Sequence, residues 1–453
     1  MTDIRQTELF CDWLENYLDF ERIKKKGAFS LDTMQFLVER FKHPELAFKT
    51  IHVAGSKGKG SVSTMIASIL DAAGVPAGLY TSPHLIDFTE RIATVHGPFD
   101  DATYGKACDI IVPLVDSIIP GSIPGGADPT WFELVTLFAF ETFKQARLPW
   151  AVIETGLGGR LDATNVVRPE ACVLTPIELE HTEYLGDTIQ KIAGEKAGIM
   201  KPGVPVFVSE QHPSARFVFE QRAKDLGNPL FSMETAVSSI ESKPSRSRLD
   251  ITVAFNEIPG GPVFSRPLSA QLKLVNAIQA KNAALAAYTV KYLMPDIAEE
   301  TIERGLSSAW LPGRFEIIGD SLVLDGAHTI RSISLTLETF RSLFSGPAHL
   351  LFACAADKAV DDIAALFSVG FSRITVTRPG EKKQSDIDHA SLAFAAVFSS
   401  RNDVDFSVDP DYERAIARAM ETAKSEGVPL LVTGSFYLVS EAKKILAREN
   451  RGR

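Results

Sequence analysis

Thr50-Ile51-His52-Val53-Ala54-Gly55-Ser56-Lys57-Gly58-Lys59-Gly60-Ser61 is the stretch that decides the fold. Residues 51–54 form a short, β-branched and apolar run that reads as a buried strand. Three glycines within six residues then break it, and a helix follows at once. In that helix Val62, Met65, Ile66, Ile69, Leu70 and Ala73 recur at three- and four-residue spacing until Gly74 stops it. A strand, a glycine loop and a helix together aim backbone N–H groups and the positive end of a helix at an anion. Glycines let the main chain curl around a phosphate, Lys59 can reach the outer phosphates, and Ser61 can touch Mg²⁺ or an oxygen.

The loop departs from the usual phosphate-loop pattern. Val53 stands six residues before Lys59 where glycine is usual, and Gly60 separates the lysine from Ser61. A purely structural turn would share the glycines. A lysine inside Gly58-Lys59-Gly60-Ser61, directly after a buried strand, favours phosphate binding, with a nucleotide as the expected ligand.

At 453 residues the chain exceeds one hydrophobic core and implies two or three domains. With 45% hydrophobic and 23% charged residues its composition is that of a soluble globular protein. A formal net charge of −10 argues against a nucleic-acid surface, so an anionic ligand must be met by local groups. Cys11, Cys108, Cys172 and Cys354 lie far apart without a C-x-x-C pair, which fits reduced thiols and neither a disulfide frame nor a zinc site. The N-terminal MTDIRQTELF carries no apolar signal core, and no run approaches about eighteen apolar residues. A cytoplasmic protein without membrane or nucleic-acid partners is expected, with a monomer as the default.

Around the loop the periodicity predicts helices over 7–24 and 31–42, a strand over 77–81, a helix within 95–128 and another from 129 to 145. Strands follow over 150–153, 171–177 and 204–209, with a helix near 187–199. Residues 232–268 read as a small antiparallel patch, and 269–293 as a long alanine-rich helix. From residue 320 the rhythm restarts with strands near 322–324, 349–354, 374–377 and 429–433, and helices over 330–344, 411–426 and the C-terminus. Strands alternating with helices indicate α/β architecture: an N-terminal phosphate-loop ATPase-like domain (1–311) with a mostly parallel sheet, and a smaller Rossmann-like α/β domain (312–453). The ligand crevice is expected at the carboxyl ends of the strands.

Several polar residues stand at those strand ends. Glu154 closes an apolar strand, as a Mg²⁺-anchoring carboxylate does, and Ser82 could add a hydroxyl; Mg²⁺ keeps waters and needs few protein oxygens. His181 also ends a strand, although a lone histidine is more often structural and imidazole is an uncommon Mg²⁺ partner. Lys196 reads first as a helix-surface lysine paired with Glu195 or with the helix end. Arg314, after Pro312-Gly313, could reach a phosphate or make a hinge salt bridge. Asp325 and His328 lie on a strand-end turn that could be either functional or merely buried.

Taken together, the chain resembles the folylpolyglutamate synthase/dihydrofolate synthase family of the muramyl-ligase superfamily. The matching segments run in order: IHVAGSKGKGS (51–61), TSPHL with FTERI (81–92), PTWFE (129–133), ETGLGGRLDATN (154–165), HTEYLGDT (181–188), AGEKAGIMK (193–201), Gln279 with Asn282-Ala283, PGR (312–314), DGAH (325–328) and VTGSFYLV (432–439). The resemblance implies an ATP- and Mg²⁺-dependent ligase that adds L-glutamate to folate through an acyl phosphate, with dihydropteroate as the second candidate acceptor. Gly58, Lys59, Gly60 and Ser61 would hold the ATP phosphates, with Asn282, Arg314 and Asp325 also on the nucleotide. Ser82, Glu154 and His181 would bind one or two Mg²⁺ ions, joined by Lys196 at the place of the family's carbamylated lysine. Lys59, Lys196, His181 and Arg314 would carry the catalysis. Thr130, Trp131, Phe132 and Glu133, with Leu161, Asp162 and Ala163, match segments lining the pteroate or folate pocket. His328, Lys358 and Ser435 are expected near the incoming glutamate.

Because carboxylate and triphosphate are both anionic, Lys59, Arg314 and the metal must offset their repulsion. Acyl phosphates hydrolyse readily, so closure of the second domain is expected to exclude water. Three positions depart from the family pattern: Thr329 replaces the asparagine after DGAH, Leu31-Asp32-Thr33-Met34 lacks the usual arginine, and Glu180 replaces aspartate before the histidine. Other muramyl ligases share the ATP chemistry, but most carry a nucleotide-sugar domain that the fifty or so residues before the loop cannot form. A non-catalytic ATP-binding module is the alternative from a different class.

Overall fold

The computed structural model describes residues 5–19, 30–119, 121–126, 128–381 and 383–451. It divides into two units. The first comprises Met1–Glu241, Ile251–Ala270 and Ala280–Trp310; the second comprises Ser242–Asp250, Gln271–Gln279 and Leu311–Arg453. Both are α/β. Among the described residues no helix is long and apolar enough to cross a membrane.

The first unit is built on an eight-stranded sheet: β1 (Lys49–Ala54), β2 (Ala77–Tyr80), β3 (Ile92–Thr94), β4 (Gly97–Pro98), β5 (Trp150–Glu154), β6 (Pro169–Leu174), β7 (Val206–Val208) and β8 (Leu230–Ser232). Their spatial order is β4-β3-β2-β5-β1-β6-β7-β8. From β2 to β8 the pairs are parallel, while β3 and β4 add an antiparallel edge. Strand β1 is central, and from Thr50 to Ala54 every residue is buried. That explains its unbroken apolar reading, because a parallel strand covered on both faces has no wet side to alternate toward. Beside it the Lys59–Ala72 helix is buried from Ser61 through Leu70. One core cluster gathers Met34, Leu37, Phe41, Phe138, Phe140 and Phe143; another gathers Leu174, Ile192, Ile199 and Phe219.

The second unit carries β12 (Glu316–Ile318), β13 (Leu322–Leu324), β14 (Ala348–Phe352), β15 (Phe371–Val376), β16 (Asp405–Val408) and β17 (Leu430–Thr433), following the strands β9 to β11 given below. The order is β12-β13-β17-β14-β15-β16, parallel except for β12 against β13. Its core is phenylalanine-rich, with Phe340, Phe352, Phe367, Phe371 and Phe394 packed together.

Two sequence expectations need correction. The helix expected over 269–293 begins only at Ile278; residues Leu268–Leu272 form β11, which joins β10 (Leu249–Phe255) and β9 (Val237–Pro244) in a three-stranded sheet. Leu268, Ala270 and Leu272 are buried while Ser269 and Gln271 are exposed, so a period of two wins over helical propensity. The N-terminal helix spans Gln6–Leu14 and not 7–24, and residues 20–24 lie outside the described residues.

Candidate active site

The glycine loop leaves β1 between two neighbours that also end at the same sheet edge. Val53 pairs with Glu154 of β5, and Ala54 pairs with Leu174 of β6. The Ser56 and Lys57 amides both donate to the Pro176 carbonyl oxygen, at 2.9 and 3.2 Å. Gly58 then takes a φ of +87° and opens the Lys59–Ala72 helix without any side-chain cap. This conformation favours glycine. The first-turn amides of a helix have no carbonyl of their own to meet. Here they stay uncapped next to Lys59, which makes an anion seat. Asn282, buried in the Ile278–Leu293 helix, closes one side: a Cβ on Gly58 would stand 3.0 Å from its Oδ1.

Glu154 is 4% exposed. One carboxylate oxygen lies 3.9 Å from Lys59 Nζ, and the other accepts the Ser82 N–H at 3.3 Å. Among the described residues, no three His, Cys, Asp or Glu side chains group as a metal cluster. Glu154 with the adjacent Ser82 fits a cation that takes one protein carboxylate and fills its shell with phosphate and water, which is how Mg²⁺ is commonly held. His181 is exposed, at φ +49°, before the short Thr182–Leu185 helix.

Lys196 is not the surface lysine that its neighbour Glu195 suggested. It is 2% exposed, its Nζ donates to the Gly55 carbonyl oxygen at 2.7 Å, and Glu180 lies at 3.5 Å. Glu195 pairs with Arg160 instead. The other oxygen of Glu180 accepts from Lys57 at 3.2 Å. Burial, reinforced by Lys59 and opposed by Glu180, brings the Lys196 pKa down to about 8. Burial alone would raise Glu180, yet Lys57, then Lys196, Lys59 and His181, bring it down to about 2. Lys57 is lowered too, chiefly by burial, with Glu180 opposing. The pairing of Lys57 with Glu180 escaped the sequence reading, although Lys57 lies within the glycine loop and Glu180 was noted as a departure from the family pattern.

The second glycine turn rests on the Lys196 helix. A Cβ on Gly159 would meet the Glu195 carbonyl oxygen at 2.8 Å and Lys196 Cα at 3.0 Å. The Arg160 amide donates to that carbonyl at 2.7 Å. Within the turn Asp162 is buried and accepts from the Leu157 amide at 2.8 Å and the Thr164 amide at 3.0 Å. Its pKa is raised, chiefly by burial. Leu161 is half-buried and Ala163 buried beside it.

Thr130 and Glu133 form a reciprocal capping box at the start of the Trp131–Gln145 helix. Burial raises the Glu133 pKa against its bonds from Thr130. Phe132 packs so closely on Gly156 that a Cβ there would fall 2.4 Å from the ring. Trp131 lies under the Arg91 guanidinium at 4.9 Å, and Arg91, 1% exposed, also donates to His84 at 2.7 Å. Arg91 is a buried cation that the sequence reading quoted within a motif but gave no role.

In the second unit, β13, β17 and β14 are adjacent and parallel, so their carboxyl ends share an edge. Asp325 follows β13 and is buried. It accepts from Thr336 at 2.8 Å and the Ala327 amide at 2.9 Å. Burial pushes its pKa up to about 6 despite those bonds and the Arg314 charge. Arg314 stacks 5.0 Å from the Phe436 ring. His328 Nδ1 meets the Gly326 carbonyl oxygen at 2.9 Å. The Gly434 amide donates to Ala327, which places Ser435 beside the same turn, where its hydroxyl accepts from the Tyr437 amide at 3.2 Å. Lys358, beyond β14, pairs with Asp357 at 3.2 Å. Thr329 caps the Ile330–Leu343 helix, a local structural use for the residue that departs from the family pattern.

Residues 313–436 match the glutamate ligase domain of the Mur ligases. Over 433 residues the chain is 31% identical to the dihydrofolate synthase/folylpolyglutamate synthase of Bacillus subtilis, covering 92% of this chain and 94% of that one. It superposes with a TM-score of 0.85 on the Mycobacterium tuberculosis folylpolyglutamate synthase complexed with ADP and AMPPCP, at 25% identity and 98% coverage of each chain. It also superposes, with a TM-score of 0.78 and 25% identity, on Escherichia coli FolC in complex with DHPP and ADP, covering 97% of this chain and 98% of that one.

Proposed function

The chain belongs to the dihydrofolate synthase/folylpolyglutamate synthase family, and from that premise we propose how its residues carry out ATP-dependent ligation of glutamate to folate. The observation that carries the reading is the meeting of Lys59 and Glu154 beside an uncapped helix start at the carboxyl edge of the sheet.

In this reading the amides of Gly58 to Ser61 and the Lys59 ammonium bind the ATP phosphates, and Asn282 bounds the seat. Glu154, with Ser82 and His181, holds Mg²⁺, which when bound offsets phosphate charge as the acceptor carboxylate approaches. Lys59 remains on the transferring phosphoryl group and stabilises its charge. The α-amine of glutamate then attacks the acyl phosphate, expelling phosphate and leaving an amide. Trp131, Phe132, Leu161 and Ala163 supply apolar surface to the acceptor, with Thr130, Glu133 and Asp162 as its polar neighbours. Arg314 and Asp325 are further proposed nucleotide contacts, and His328, Lys358 and Ser435 proposed glutamate contacts.

Lys196 is proposed to be carbamylated. A pKa of about 8 leaves an appreciable neutral fraction near neutral pH, and only the neutral amine adds to CO₂. Its nitrogen lone pair bonds to the carbon, a proton leaves to solvent, and an anionic carbamate replaces the cation. The working unit is proposed to be a cytoplasmic monomer; the four unpaired thiols suit a reducing compartment.

Phosphate release measured with ATP and Mg²⁺, offering dihydropteroate and tetrahydrofolate separately, each with and without L-glutamate, tests the function. Release that needs both acceptor and glutamate supports it. A different acceptor class is indicated if neither pterin supports release, and a binding module if ATP is bound but never turned over.

A further inference from the structure

The middle of β1 holds a buried relay of which the ligase chemistry above uses only the far end, Asp162. His52 is fully buried, and its Nε2 lies 2.9 Å from the Thr164 hydroxyl. That hydroxyl donates in turn to Asp162 Oδ1 at 2.5 Å. Asp162 also receives the Leu157 and Thr164 amides, so the carboxylate acts as acceptor on both oxygens. A hydroxyl has one proton, and here it is spent on Asp162; its oxygen must therefore accept from His52. The ring consequently carries its proton on Nε2 and leaves Nδ1 bare. Nδ1 is the ring atom with no hydrogen-bond partner among the described residues.

As plain packing this arrangement is unfavourable. An apolar side chain would fill the site without leaving a buried nitrogen unpaired, a deficit worth from about fivefold to about a hundredfold in an equilibrium constant. Burial, with a smaller contribution from Lys201, keeps the ring neutral, as the relay requires. The end of β1 opens the glycine loop, and its middle touches the turn at 157–164 through Thr164.

We propose that His52 is a positioning residue for the folate-type acceptor: through Thr164 it fixes the orientation of Asp162 and of the turn that carries Leu161 and Ala163. The proposal rests on the acceptor reading given above, and the two can fail separately. Wild-type turnover alone tests that reading, whereas the ring tautomer is read without turnover.

The test compares His52→Leu, which lacks a donor, with His52→Gln, whose amide restores one. We expect His52→Leu to raise KM for tetrahydrofolate at least about fivefold while KM for ATP stays within about twofold. His52→Gln should recover most of the loss. Should His52→Leu fail to fold, Thr164→Val read against Thr164→Ser gives the same comparison. In the ¹⁵N-histidine spectrum of the wild-type protein, the resonance missing from His52→Gln should show the Nε2–H tautomer. An Nδ1–H tautomer, an unchanged acceptor KM in both donor-deleted variants, or equal rises in the ATP and acceptor KM would overturn the proposal.

Discussion

Lys196 Nζ donates a 2.7 Å hydrogen bond to the carbonyl oxygen of Gly55, the residue at which β1 gives way to the glycine loop. A buried cation thus ties the Ile189–Ala197 helix to the start of the phosphate seat. Truncating it removes that tie and, in the proposed mechanism, the carbamate. We predict that Lys196→Ala lowers kcat by about a hundredfold or more and that acetate or another small carboxylate restores part of the loss. Steady-state assays across a carboxylate series check this; absence of rescue under every condition would argue against carbamylation.

Lys59 stands apart in kind, because its charge is meant for the phosphates. Lys59→Ala should cut kcat/KM by at least about a hundredfold and weaken ATP binding by calorimetry, with the unfolding midpoint little changed. Undiminished activity would count heavily against the assigned seat.

Gly159 meets the Lys196 helix backbone to backbone. Its added Cβ would press on the Glu195 carbonyl oxygen and Lys196 Cα, neither of which can swing aside. Gly159→Ala should therefore cost about 1–3 kcal/mol of stability and lower kcat along with it. Urea unfolding and initial rates read the two effects; a fully stable variant would mean that the contact is looser than described.

His52 gives the pH dependence of stability a specific source. Burial first, then Lys201, holds its pKa down at about 3, against 6.5 for the free side chain. As pH falls through 6.5 the unfolded chain takes up a proton that the folded ring refuses. Its contribution is therefore complete above that value and is lost progressively toward pH 3. Between about pH 7.5 and about pH 5.5 this one ring should remove about 1.4 kcal/mol. Urea midpoints for wild type and His52→Gln at the two values should diverge by that amount; parallel curves would contradict it.

The parts of the fold that could be read from sequence were those written locally. Ile51 to Ser61 contains its own strand, loop and helix start, and Glu154 ends an apolar run that any parallel sheet would bury. Strand β16 gave no signal, because its outer position leaves Asp405, Ser407 and Val408 exposed and the burial pattern unmarked. Lys196 was misleading for the opposite reason. Its sequence neighbour Glu195 turns to Arg160, while its real partners, Gly55 and Glu180, come from other strand ends. His52 sat inside the opening stretch yet read only as strand, since its meaning depends on Thr164 across the sheet. Local pattern named the candidate residues, and tertiary contacts assigned their partners.

The most direct measurement follows an oxygen atom. Tetrahydrofolate labelled with ¹⁸O in its terminal carboxylate is incubated with the protein, ATP, Mg²⁺ and L-glutamate, and the released phosphate is analysed by mass spectrometry. If the acceptor carboxylate attacks the γ-phosphate, one labelled oxygen passes into phosphate with each amide formed. Amide formation with unlabelled phosphate would contradict the acyl-phosphate route and the seat built around Lys59 and Glu154.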